Sequence, residues 1–371
     1  MNSKERLKKV LSLEIPDRVP ISTYELVGYN SRAFENNEPS YKRLMDIIRQ
    51  KTDCICMWNP SSNEVFWESS DNIDMEEKTE RNPASLRIKK RIHTPKGDIT
   101  SIVRQDDNIH TIWTMEHWCK NIDDVEKVLS MPYKPLDYDI SDYERIKSEI
   151  ADDGIIMSSV SDPLCLAASL MEFGDYTVWA MTETEHFGRT VEIMHERNME
   201  NLKRMLDINM VDLYRIYGPE YATPPYLPPY FFERFVVPYV TEMVNLIHTK
   251  GAKVRFHCHG RIRAVIDMIA ETGADAIDPC EGSPDGDITL VEVKEKIGNK
   301  MAIFGNIQLK VLEYAHAEEI KKIVMECMDS AKEGGCYCIM PTAAPINVPL
   351  SKTTEENYIQ FIDSALTYGI Y

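Results

Sequence analysis

Two histidines one residue apart, in Arg255-Phe256-His257-Cys258-His259-Gly260, are the residues whose spacing most directly suggests chemistry. In a β-strand residues i and i+2 share a face, so this spacing aims both imidazoles at one point and turns Phe256 and Cys258 to the other side. A face carrying Lys253, Arg255, His257 and His259 is an unusual surface for a strand set between two helices. Twenty-odd residues on, Asp278-Pro279-Cys280-Glu281 closes another apolar run, and Glu281 adds a carboxylate to the two imidazoles. Two histidines and one carboxylate leave an open position on a tetrahedral zinc ion, as catalytic zinc sites require. Paired histidines also serve as hydrogen-bonded core groups, and that reading stays open at this point.

The elements that must hold these residues follow from the hydrophobic pattern. After an N-terminal helix, strand-like runs fall at Ile21 to Val27, Asp53 to Trp58, Ile155 to Val160, Val211 to Tyr217, Ala252 to His259, Ala274 to Pro279, Met301 to Asn306 and Cys336 to Met340. Helical runs separate the later ones, and eight strands alternating with helices predict an α/β fold, a (β/α)8 TIM barrel in one domain over residues 1–371. Residues 62–125 read as an excursion, because Leu86 to Trp113 alternates about a turn at Thr94-Pro95-Lys96-Gly97-Asp98, a β-hairpin signal.

In such a barrel the active site lies at the C-terminal strand ends and in the loops after them. The fifth and sixth strand ends then bring His257, His259 and Glu281 together as metal ligands. Glu220 precedes Pro224-Pro225-Tyr226-Leu227-Pro228-Pro229, a stiff loop over the mouth, and is a candidate proton donor or fourth metal ligand. Asp162, directly before Pro163, reads as a helix N-cap. Trp113, Trp118, Trp179 and Tyr221 are candidates for an aromatic substrate pocket, with Asn306 at the end of the seventh strand.

Composition narrows the partners. With 60 acidic and 42 basic residues the net charge is −18, which argues against a nucleic-acid backbone or an anionic membrane. Nine cysteines, odd in number and mostly in apolar runs, do not form a disulfide framework and point to a reducing cytoplasm. Met1 to Leu13 mixes charges with apolar residues at helical spacing, unlike a signal peptide, and no stretch reaches the roughly 18 unbroken apolar residues of a membrane span.

Several segments together resemble the uroporphyrinogen decarboxylase superfamily. They are Glu5-Arg6-Leu7 through Pro16-Asp17-Arg18-Val19-Pro20, Gly251-Ala252-Lys253-Val254 before His257-Cys258-His259-Gly260, Gly305-Asn306-Ile307, and Gly334-Gly335 before Pro341-Thr342-Ala343. The superfamily holds the decarboxylase and a branch of zinc methyltransferases that exchange methyl groups with a separate corrinoid protein. Where the decarboxylase carries an Arg-Gln-Ala-Gly-Arg segment for substrate carboxylates, this chain has Tyr24-Glu25-Leu26-Val27-Gly28. His257 and Glu281 match the histidine and glutamate of the methyltransferases that make methyl-coenzyme M. His259 stands where those enzymes have their first cysteine, and Ala343 where they have a late one.

Zinc with two imidazoles and a carboxylate carries one net positive charge, whereas one imidazole and two thiolates make it neutral. The first suits polarising an oxygen leaving group and the second suits keeping a thiolate nucleophilic. The resemblance thus implies an O-demethylating methyltransferase of anaerobic one-carbon metabolism. It would move a methyl group from a methoxylated aromatic compound to cob(I)alamin on a partner protein. Its expected cofactors are zinc and that cobalamin. Its partners are the corrinoid protein and a small-molecule methyl donor, with no nucleic acid or membrane, and a homodimer stays open. A metal-free decarboxylase-like lyase and a non-catalytic barrel that docks a corrinoid carrier are the alternatives.

Overall fold

A computed structural model of the protein describes residues 1–208 and 211–371. The strands, in chain order, begin with β1 (Cys54–Met57) and β2 (Ser61–Ser62). Next come β3 (Asp74–Asn82), β4 (Ser85–Thr94), β5 (Gly97–Asp106), β6 (Trp113–Glu116) and β7 (Tyr138–Asp139). The chain continues through β8 (Gly154–Ser161), β9 (Leu213–Tyr217), β10 (Lys253–Cys258), β11 (Ala276–Pro279), β12 (Ala302–Ile307) and β13 (Tyr337–Pro341). Seven of these form one parallel sheet in the order β1-β8-β9-β10-β11-β12-β13, with helices packed outside it.

The expected first strand, Ile21 to Val27, is not a strand in the structure. It contributes one parallel bridge, Ile21 to Ile339. Pro20 has no donor to offer a ladder, and the chain turns away at once through Tyr24, whose φ is 57°. The same short segment nonetheless spans the two edges of the sheet. Ser22 N donates to Ile339 O, Ile339 N to Pro20 O, and Asp53 N, just before β1, to Ile21 O.

Side-chain alternation divides the sheet into two faces. Ile55, Ile155, Met157, Leu213, Ala276, Phe304, Cys338 and Met340 form an inner cluster, while Phe256, Cys258 and Ile277 face the outer helices. The inner cluster also holds Leu7, Val10 and Leu11 from the helix Ser3–Leu11, so this helix plugs the N-terminal end of the sheet. Asn2 and Glu5 form a capping box that starts it. Each of the three buried side chains contributes about 1.5–3 kcal/mol relative to exposure.

The excursion is larger than a hairpin. β3, β4, β5 and β6 make a four-stranded antiparallel sheet, with the expected turn between β4 and β5. β7 pairs back on β2, and helices Ile122–Leu129 and Tyr143–Ile150 also precede β8. Every residue of β3 is exposed, so no hydrophobic alternation marked it. The helix Lys352–Tyr368, started by Ser351, was likewise absent from the sequence-based expectation.

One carboxylate ties the N-terminal segment to β1. Asp53 has no exposed surface and accepts from Arg6 Nη1 at 2.5 Å, Arg18 Nη1 at 2.8 Å and Ile21 N at 2.9 Å. Arg6 also bonds Asp17 at 2.7 Å. Replacing Asp53 by Ala therefore removes the counter-charge of two guanidinium groups, and urea unfolding is expected to show a loss of about 3–5 kcal/mol. Asp17 behaves differently with pH. Its hydrogen bond to Arg6 holds its carboxyl at about 2, below the usual carboxylate range, so its contribution is complete above about pH 4 and disappears as the pH falls toward 2. The stability difference between wild type and Asp17→Asn should shrink over that window when thermal midpoints are compared.

Candidate functional site

His257 points into the sheet interior beside Arg255, as the alternation predicts. The β10–β11 register sets Asp278 opposite it. Asp278 Oδ2 lies 2.8 Å from His257 Nδ1, and Oδ1 lies 3.0 Å from Arg255 Nε. Arg255 and Asp278 are fully enclosed. Burial would raise the Asp278 carboxyl, but the charge of Arg255 and the charge and hydrogen bond of His257 outweigh it and hold the group at about 2. Burial pulls His257 below its usual basicity despite Asp278. The Asp278 carboxylate accepts, so Nδ1 carries a proton. Its Nε2 lies 3.4 Å from Tyr24 Oη.

His259 lies one residue past β10, its side chain one-third exposed. Its ring stands 4.6 Å from that of His257 at 88°. Glu281 Oε1 is 3.2 Å from His259 Nδ1, and Oε2 accepts from Gly260 N at 2.8 Å. Burial would lower the basicity of His259, but the Glu281 hydrogen bond and the charges of Glu281, Glu220 and Asp278 raise it overall. The two neighbouring rings are thus pushed in opposite directions, a pattern typical of acid–base sites.

The three expected metal ligands are adjacent but do not converge. Glu281 is engaged by His259 and the backbone, and among the described residues no group of three or more His, Cys, Asp or Glu stands where it could hold a metal ion. The donor chemistry still fits in part. Each imidazole has Nδ1 on a carboxylate and Nε2 unclaimed by it, the support that metal-binding histidines have in other proteins. Two nitrogen donors are in place and a carboxylate third is not.

A second acidic pair flanks His259. Glu220 sits in the single turn Pro219–Ala222, and its Oε2 is buried without a hydrogen-bond partner. Asp162 caps the helix Pro163–Ala168 through Oδ1 on Cys165 N at 2.7 Å, as expected, and its Oδ2 is also buried and unpartnered. Burial, with the charge of Glu220, lifts the Asp162 carboxyl well above its usual range. Gly218 makes this approach possible. Its φ is +108°, and a Cβ there would stand 2.3 Å from Cys165 Cβ and 3.1 Å from Asp162 Oδ1.

The aromatic candidates do not gather. Tyr221 adjoins Glu220 and packs with Phe173 and Tyr176, but Trp179 donates to His186 Nδ1 and packs on Phe187 in the helical layer. Trp118 packs edge-on against Phe66, and Trp113 is half-exposed on β6. Asn306 donates to Cys280 O and accepts from Cys327 Sγ, a structural position. Two arginines eight residues apart in the sequence also part. Arg255 is interior, while Arg263 binds Glu292 and Asp287 outside. Arg215 was missed, although alternation along β9 turns it inward. Its Nη1 bonds Glu25 at 2.9 Å, its Nε bonds Ser159 Oγ at 3.1 Å, and it lies over the rings of Tyr24 and Tyr217.

Comparison with known proteins accords with this architecture. The sequence profile of the uroporphyrinogen decarboxylase (URO-D) family matches residues 112–366. The uroporphyrinogen decarboxylase of Geobacter sulfurreducens is 22% identical over 247 residues, 62% of this chain and 69% of that protein. That of Geotalea uraniireducens is 24% identical over 248 residues, with the same coverage. Among solved structures, a methyltransferase from Methanosarcina mazei superposes with a TM-score of 0.63 over 99% of both chains at 15% identity, a likeness of fold. With the profile spanning more than half of its length, the chain belongs to the uroporphyrinogen decarboxylase family.

Proposed function

We propose that this member of the family is a methyltransferase that removes the methyl group of a methoxylated aromatic compound and delivers it to cob(I)alamin on a separate corrinoid protein. The observation that carries the reading is the state of the interior cations. Arg255 is paired with Asp278 and Arg215 with Glu25, so neither is offered to the carboxylates of a tetrapyrrole. The fold likeness to a methyltransferase supports the same reading. A decarboxylase-type lyase is the second reading, favoured by the named relatives. In the proposed protein the sheet closes as a (β/α)8 barrel, with Pro20 to Ser22 in the eighth place. Nine free cysteines suit a cytoplasmic location.

Zinc on His257 and His259, with Glu281 turning away from His259 to complete the set, would supply a Lewis acid for the ether oxygen. The chain's own groups do the rest. Asp278 fixes the His257 tautomer so that Nε2 faces the site, and Tyr24 limits the movement of that ring. When the methyl–oxygen bond breaks, its electron pair stays on oxygen, which takes a proton from Glu220, whose buried Oε2 has no protein partner. Cob(I)alamin on the partner would supply the electron pair that forms the new bond to the methyl carbon.

Elemental analysis of the purified protein is expected to find about one zinc per chain, lost in the His257→Ala, His259→Ala double variant. No zinc, or full retention in that variant, would sink the metal site. In an assay of methyl-cobalamin formation with a reduced corrinoid protein and a panel of methoxyarenes, Glu220→Gln is expected to lower turnover by about 10²–10⁴-fold with donor binding little changed. Absence of methyl-cobalamin with every donor would remove the methyltransferase reading.

A further inference from the structure

None of the expected tryptophans gathers into a substrate pocket. A space of about 380 Å³ opens instead at the seam between β1 and β13, walled by Phe34, Met57, His110, Ala344 and Ile346 with Glu25 at its edge. Met57 and Ala344 also pack against the inner cluster that contains Tyr24. Tyr24 is the residue before Glu25, and its Oη is 3.4 Å from His257 Nε2. Glu25, at the edge of the cavity, is thus joined through the chain and through Arg215 to the tyrosine beside His257.

The walls are flat, apolar and braced. Phe34 and His110 stack with centroids 3.9 Å apart at 23°. His110 N donates to Ile346 O at 2.8 Å, Ile109 bridges Asn347, and Tyr41 Oη donates to Pro345 O and Asn347 O. A cavity braced in this way is preformed, as small-molecule sites usually are. About 150 Å³ is enough to admit benzene. The space thus takes a monocyclic arene with substituents.

Its charges discriminate. Arg32 is at the rim, but its guanidinium is engaged by Asp142 at 3.2 Å, Ser61 Oγ at 2.8 Å and Asn59 O at 2.9 Å. Arg215 is engaged by Glu25. Glu25 and Glu35 are the acidic groups of the lining, and Glu35 accepts from Val27 N. A carboxylate on the ring would enter a largely apolar space that already has two carboxyl groups and no cation to spare among its described walls.

We infer that this cavity is the methyl-donor site and that it selects uncharged monocyclic methoxyarenes against carboxylated ones. The inference rests on the methyltransferase reading for the word donor, and its test does not use methyl transfer. Isothermal titration of the full-length protein with 2-methoxyphenol and with 4-hydroxy-3-methoxybenzoate compares ligands that differ by a carboxylate. The first is expected to bind one site per chain, and the second at least about tenfold more weakly. Ala344→Phe, which fills the cavity, should abolish binding, and Phe34→Ala should weaken it about tenfold, each with a thermal midpoint near that of wild type. Equal or tighter binding of the benzoate would overturn the inference, as would no binding of 2-methoxyphenol or unchanged binding in both variants. Binding as described without methyl transfer to any corrinoid protein would leave the cavity assignment standing and remove the methyltransferase reading. Methyl transfer unaffected by Ala344→Phe would do the reverse.

Discussion

The candidate site depends on one buried carboxylate. Asp278 has no exposed surface and serves two bases, Arg255 and His257, one through each oxygen. A buried ion pair adds little net stability over apolar residues of the same shape, but a lone buried charge is costly, so the pair enforces its own geometry. Arg255 faces Asp278 as a charge at 3.0 Å, while the hydrogen bond of Asp278 goes to His257. The ring of His257 is thereby fixed in tautomer and plane before any ligand arrives, which is the preorganisation that electrostatic catalysis needs.

The same logic recurs at the other end of the sheet. Asp53 gathers Arg6, Arg18 and the backbone of Ile21, so the plug helix and the segment spanning the sheet edges are held by a single acid. The helix so held carries Leu7, Val10 and Leu11 into the inner cluster against which the strands pack.

Much of this was legible because strand parity is a strong signal. Parity placed Arg255 and His257 inward and Cys258 outward, and the order of strands placed Glu281 beside His259. What parity cannot supply is hydrogen-bond choice. Glu281 could face a shared ligand or its neighbouring imidazole, and nothing in its spacing reports that it bonds His259 and Gly260. Asp278, the acid that orients His257, was read only as part of a strand end, since a buried acid between apolar residues has no sequence signature until its bases are located. Elements outside the sheet were least legible. The first expected strand dissolved into one bridge because Pro20 and the turn at Tyr24 outweigh its apolar residues. β3 carries only exposed residues and exists through its partner β4. Trp179 and Trp113 show that aromatic residue type alone does not indicate a pocket, whereas Phe34 and His110, which carried no spacing signal, meet across 76 residues.

Gly218 bears on how this protein can change over time. Its left-handed backbone and the contact a Cβ would make with Cys165 mean that no single replacement there is neutral. A side chain at 218 becomes tolerable only after Cys165 shrinks and the turn to Glu220 is redrawn, and the second change moves the carboxylate that faces the site. The position is thus epistatic with both the helix behind it and the acid ahead of it. The Tyr217–Glu220 corner is thus the side of the site on which a single substitution has least room.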